Sequence, residues 1–111
     1  MARATPVLSA LVLAALEDGP AHGYRIARWV DEHSAGCLAL REGSLYPILH
    51  ALEQQGAVDA TWEREGERQR RVYRLTEAGR AALRAGRTAW RAYADAVERA
   101  LFKGGARVAP A

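Results

Sequence analysis

The chain has 111 residues, 50% of them hydrophobic, enough for one domain with a modest core and too apolar for a disordered tail. Its formal charge is +3, and Lys103 is the only lysine among 16 basic residues. Arginine suits phosphates and guanine edges, although a GC-rich genome would also enrich arginine and alanine. A single cysteine, Cys37, allows no intrachain disulfide, and the apolar run from Val7 to Leu16 is too short for a membrane span or signal peptide. The expected location is therefore the cytoplasm, away from membranes.

After Thr5-Pro6, apolar residues at Val7, Leu8, Leu11, Val12, Ala15 and Leu16 have the spacing of a one-faced helix, ended by Glu17-Asp18-Gly19-Pro20. A second helix is expected from about Ala21 to His33, with Ile26, Ala27 and Val30 inward and Gly36 as its stop. The third starts at Gly43-Ser44, where Ser44 can cap free amides and Pro47 falls in the first turn. Leu45, Ile48, Leu49 and Leu52 form its apolar stripe, and Gly56 closes it. Ser44, Pro47, His50 and Gln54 are left on the opposite face, with Tyr46 at the margin.

Val58, Ala60 and Trp62 then alternate as in a strand, Glu65-Gly66-Glu67 reads as a turn, and Arg71 to Leu75 returns. Thr76 caps a last helix that runs to about Phe102, with Glu77 near its positive end. The fold class is thus mainly α with a small β-hairpin. This is the order of a winged helix-turn-helix followed by a long C-terminal dimerisation helix. The expected divisions are 1–76 for the winged-helix unit, 77–103 for the dimerisation helix, and a frayed tail at 104–111.

Three blocks in order carry a family resemblance: His22-Gly23-Tyr24-x-Ile26-Ala27, Glu42-Gly43-Ser44-Leu45-Tyr46-Pro47-x-Leu49-x-x-Leu52-Glu53, and Tyr73-x-Leu75-Thr76-x-x-Gly79. Together they resemble the signature of PadR-like transcriptional regulators over roughly Val7 to Arg84. The resemblance implies a winged-helix homodimer on an inverted-repeat DNA operator, commonly a repressor released by a small molecule. Many relatives carry a basic residue and two aromatic residues in the returning wing strand. Arg71-Val72-Tyr73 departs from that pattern at Val72.

Four groups of residues are candidates for function. On the third helix, Ser44, Tyr46, Pro47 and His50 lie where free amides and the helix dipole favour phosphate, with a base edge one turn on. Capping by Ser44 and packing by Tyr46 are the plainer alternatives. On the hairpin, Arg68, Arg70 and Arg71 are expected to meet phosphate, Arg68 and Arg70 from one side and Arg71 from the other. His22 can reach phosphate from the start of the second helix. On the last helix, Leu83, Trp90 and Val97 recur every seven residues, with Tyr93 and Leu101 beside them, as a dimer seam.

Some PadR-like proteins with a single C-terminal helix are similar to this chain in length and bind flat aromatic compounds between tryptophans at the dimer interface. Position and residue type therefore make Trp90 a candidate effector site, with an ordinary interface tryptophan as the plainer alternative. His22, His33, His50 and Cys37 have no metal-ligand spacing, no nucleophile motif is visible, and no cofactor is expected. The alternative function is a winged-helix protein-interaction module without DNA binding.

Overall fold

Apolar stripes from four helices and a hairpin meet in one core in the computed structural model, which describes residues 6–103. In chain order the elements are α1 (Pro6–Ala15), β1 (Ala21–His22), α2 (Gly23–His33), α3 (Glu42–Gln54), β2 (Val58–Glu65), β3 (Arg68–Leu75) and α4 (Glu77–Leu101). The tail expected at 104–111 lies outside the described residues. The α1 segment is apolar almost throughout and packs on α2, α3 and α4 together, as a helix without a polar face must. Val12, Leu13 and Leu16 are at most 2% exposed. Truncating such a side chain to alanine costs about 2–5 kcal/mol.

The second helix begins at Gly23, because Ala21 and His22 are drawn into the sheet. They pair antiparallel with Tyr73 and Val72, which makes a three-stranded sheet of order β1-β3-β2. The third helix also starts differently from expectation. Its N-cap is Arg41, whose carbonyl accepts from Ser44 N at 2.9 Å and Leu45 N at 2.8 Å. Ser44 is therefore a residue of the first turn and not the cap, and Pro47 lies inside the helix. There it deprives the Gly43 carbonyl of its usual amide donor. Gly43 is exposed, so water can take that place. Leu45, Ile48, Leu49 and Leu52 face the core as expected.

The hairpin is longer and tighter than its sequence indicates. Its strands pair from Val58↔Leu75 to Glu65↔Arg68, leaving Gly66-Glu67 as a two-residue loop. Gly66 has φ +63°, and Glu67 does not share a positive φ, the pattern of a type II′ turn. At the root of the hairpin, the Thr76 hydroxyl donates to the Gly56 carbonyl at 2.7 Å and accepts from Gly79 N at 3.0 Å. Gly79 lies directly over the Ala57 carbonyl, with no room for a side chain.

The α4 helix belongs to the core at one end and leaves it at the other. Leu83 is 2% exposed and packs within its own chain, so it is not part of an open seam. Sevenfold spacing placed it with Trp90, but α1 reaches far enough to cover it first. Gly86 lies close to Ala10, and Arg87 grips Glu17 with contacts of 2.8 and 3.2 Å. Beyond these contacts the helix projects outward. The radius of gyration is 16.7 Å, against roughly 13 Å for a compact chain of this size. Three helices, a hairpin and a projecting helix make a winged helix-turn-helix.

Candidate nucleic-acid interface

The outer face of α3 exposes Ser44, Pro47, His50 and Gln54, in line with its inward stripe. With Arg41 holding the cap position, the Ser44 hydroxyl is not used for capping. Tyr46 has a different task. Its ring lies over Gly23, so closely that a Cβ there would collide with the hydroxyl and come 2.9 Å from Cζ. Two sequence blocks thus meet face to face, and Gly23 gives Tyr46 its seat. The side chain remains 42% exposed, so packing on α2 leaves part of it open to a ligand.

His22 closes the start of α2. Its Nδ1 accepts from Arg25 N at 3.4 Å, and Arg70 Nη1 lies 2.9 Å from Nε2. Burial, and then the Arg70 guanidinium, hold the ring below the usual histidine value. β1 delivers this residue to the hairpin, because His22 pairs with Val72. The valine that departs from the family pattern therefore lies between His22 and Thr61 in the ladder.

The hairpin arginines divide by strand face. Arg70 approaches Glu65 Oε1 through Nε at 2.9 Å and touches His22 with its Nη1. Arg71 is on the other face, where it donates to Glu53 Oε2 at 2.9 Å and lies 5.2 Å from the centre of the Trp62 ring. Arg74 pairs with Glu63 at 3.8 Å. Arg68, at the tip, is exposed and has no ion pair among the described residues. Between the hairpin and the starts of α2 and α3 lies a cleft of about 600 Å³. Its walls include His22, Tyr46, Trp62, Arg68, Arg70 and Arg71, and no carboxylate lines it.

Sequence reasoning missed Trp62 and Glu53 as members of this region. Trp62 continues the strand alternation of Val58 and Ala60, yet it is 60% exposed because the hairpin outruns the core. Glu53 is 18 positions from Arg71, and no local spacing connects them.

On α4 the remaining seam residues are all open: Trp90 is 49% exposed, Tyr93 61%, Val97 37% and Leu101 68%. Phe102 extends the same apolar run. Trp90 and Tyr93 rings lie 5.8 Å apart, tilted by 41°. Among the described residues there is no His/Cys/Asp/Glu group able to hold a metal, and no helix is long and apolar enough to cross a membrane.

These features define a winged helix-turn-helix protein with a basic cleft and an exposed polar face on its third helix. The model of the transcriptional regulator PadR-like family matches residues 12–85, and the chain belongs to that family, whose members are regulators of transcription and not enzymes. The transcriptional regulator Rv3488 of Mycobacterium tuberculosis is 39% identical over 66 residues, 60% of this chain and 59% of that protein. The match thus spans about three-fifths of that relative. A PadR family regulator from Eggerthella lenta superposes with a TM-score of 0.77 at 31% identity, covering 88% of this chain and 84% of that one. The Bacillus subtilis PadR structure in complex with operator DNA gives 0.66 at 25% identity, over 71% of this chain and 45% of that one.

Proposed function

We propose that this chain is a dimeric DNA-binding repressor that places α3 in the major groove of an inverted-repeat operator. The observation that carries the reading is the carboxylate-free cleft between the hairpin and α3, beside the exposed Ser44, Pro47 and His50. The free amides of the first turn of α3 favour phosphate, and His50 lies about two turns further along for a base edge. Arg68 is the wing arginine with its charge uncommitted. Arg70, held against His22 and Glu65, lies at the edge of the same cleft. The Bacillus subtilis relative, whose structure is a complex with operator DNA, supports duplex DNA as the ligand.

Dimerisation uses the open run Trp90, Tyr93, Val97 and Leu101, spaced by three and four residues on one helix face. A stripe of large apolar side chains on a projecting helix is an interaction surface, because water is a poor neighbour for it. In the dimer, symmetry-related Trp90 rings offer stacking faces to a planar aromatic effector, whose binding would release the operator. The family's habit supports the word repressor; the residues themselves serve an activator equally well.

Selection of bound duplexes from a random library tests the reading. An inverted repeat among the winners is the expected result, with affinity that falls steeply as salt rises. Absence of any salt-sensitive duplex affinity would refute it. Adding planar aromatic compounds to the selected complex then tests release through Trp90.

A further inference from the structure

We propose that Arg71 is a positioning residue that braces the wing against α3, and that Glu53 is needed for DNA binding despite its negative charge. This rests on the reading that wing and α3 engage one duplex together. From composition alone the opposite assignment is natural. Arg71 is the third of a basic cluster facing a polyanion, and a carboxylate nearby should only repel it.

The geometry points to a brace. The Arg71 guanidinium is engaged on two sides: one edge donates to Glu53 Oε2 at 2.9 Å, and Trp62 lies beside it at 5.2 Å. Trp62 is its direct partner across the ladder, so both sit on the same sheet face. The Arg71 and Glu53 side chains are each 33% exposed, so the pair is partly withdrawn from solvent. Paired in this way, Arg71 offers no net charge to a phosphate. Arg68, unpaired and exposed at the tip, does.

The bracing has a target at each end. Glu53 is seven residues after Tyr46, on the same edge of α3. Tyr46 is seated on Gly23 at the start of α2, and Glu53 holds the hairpin through Arg71. The recognition helix is therefore pinned at two points about 10 Å apart, with the exposed His50 between them. Outward from Trp62 and Arg71, both strands are exposed apart from the half-buried Arg70. A two-stranded ribbon of that kind holds its direction poorly without side-chain anchors. Arg71 supplies one and Arg70, through His22, supplies the other.

The two assignments give Glu53→Ala opposite signs. If Arg71 contacts phosphate, removing the acid frees a guanidinium and strengthens binding. If Arg71 is a brace, removing either partner lets the tip swing and weakens binding. The test measures binding of the full chain to a selected operator duplex over a range of salt, for Glu53→Ala, Arg71→Ala and the double variant. Expected is a loss of about tenfold for Glu53→Ala and at least as large a loss for Arg71→Ala, which also gives up the Trp62 contact. The double variant should lose nothing beyond Arg71→Ala, since both changes remove the same ion pair. The Arg71→Ala salt slope should match the wild type. Amide hydrogen exchange of the free proteins gives a readout independent of DNA. It should quicken in Glu63 to Gln69 and stay unchanged in α1, with circular dichroism showing the variants folded.

Tighter or unchanged binding by Glu53→Ala, a slope shallower by about 0.9 in Arg71→Ala, or unaltered wing exchange would overturn the brace. Failure of the wild-type chain to bind any duplex would instead sink the DNA-binding reading, and exchange would still decide whether the pair holds the wing.

Discussion

Replacing Gly79 by alanine should destabilise this protein, although in most helices the same change helps. Gly79 is in the first turn of α4, and a Cβ there would overlap the Ala57 carbonyl oxygen and come 2.8 Å from Leu75 Cδ1. The first of these is backbone and cannot step aside without moving the start of β2. Overpacking of this kind costs typically about 1–3 kcal/mol. Displacing the turn also strains the bond from Gly79 N to the Thr76 hydroxyl, a cap contact of about 1 kcal/mol. Alanine recovers up to about 1 kcal/mol of helix propensity. The balance is a loss of about 1–3 kcal/mol.

Gly43 and Gly86 calibrate the expectation. Nothing lies within 4 Å of a Cβ at Gly43, so Gly43→Ala should gain a few tenths of a kcal/mol, less than a full interior gain because it is in the first turn. At Gly86 the added methyl meets only the Ala10 Cβ, at 3.1 Å, and the outcome should lie near zero. Urea unfolding at one fixed protein concentration measures all three, since dimerisation would make midpoints concentration-dependent. A Gly79→Ala protein as stable as Gly43→Ala would refute the reasoning.

Three further expectations follow from the interface. Arg68→Ala should make the salt slope of operator binding shallower by about 0.9, so that its deficit is about threefold larger at 50 mM than at 200 mM salt; titrations at both concentrations check this. Leu101→Glu combined with Tyr93→Glu should place charges on the open seam and give monomers in sedimentation velocity at micromolar concentration, with the α1-facing half of α4 still folded. The His22 ring is held below the usual value of 6.5, so the folded state favours its neutral form. The stability this gives is present above pH 6.5 and is lost as pH falls through the lowered folded value. Urea midpoints taken from pH 7.5 down to pH 5 should drop, and His22→Asn, which keeps a cap acceptor without titrating, should flatten that drop.

The elements with long apolar periodicity are legible in the sequence itself. Leu45, Ile48, Leu49 and Leu52 announce α3 because a helix face needs only local spacing. β1 was not legible, since Ala21 and His22 become a strand only through pairing with Tyr73 and Val72. The cap of α3 passed from Ser44 to Arg41 for a related reason: either residue can open a helix, and the choice depends on the loop from Gly36 to Leu40. Leu83 shows the limit of sevenfold spacing. That spacing identifies a stripe on α4 but is blind to where α1 ends. Among the site residues, exposure of Ser44, Pro47 and His50 could be read from their opposition to the core stripe. The partners of Arg70 and Arg71 could not, because Glu53, His22 and Glu65 reach them through the tertiary arrangement.

The projecting half of α4 also gives the molecule a long arm. Twenty-five residues of continuous helix form a rod about 37 Å long, anchored at Leu83 and open from Trp90 onward. In a pair joined along that open half, each reading head sits at the far end of a stiff bar, as on callipers. A change of inclination of about 10° at the joint would then carry the base of the head, about 20 Å along the helix from Trp90, through about 3.5 Å, close to one base-pair step. Successive major grooves on one side of a duplex are about 34 Å apart, so a shift of that size is enough to lose register. A small guest wedged beside Trp90 would act on DNA by altering an angle, with no need to touch α3.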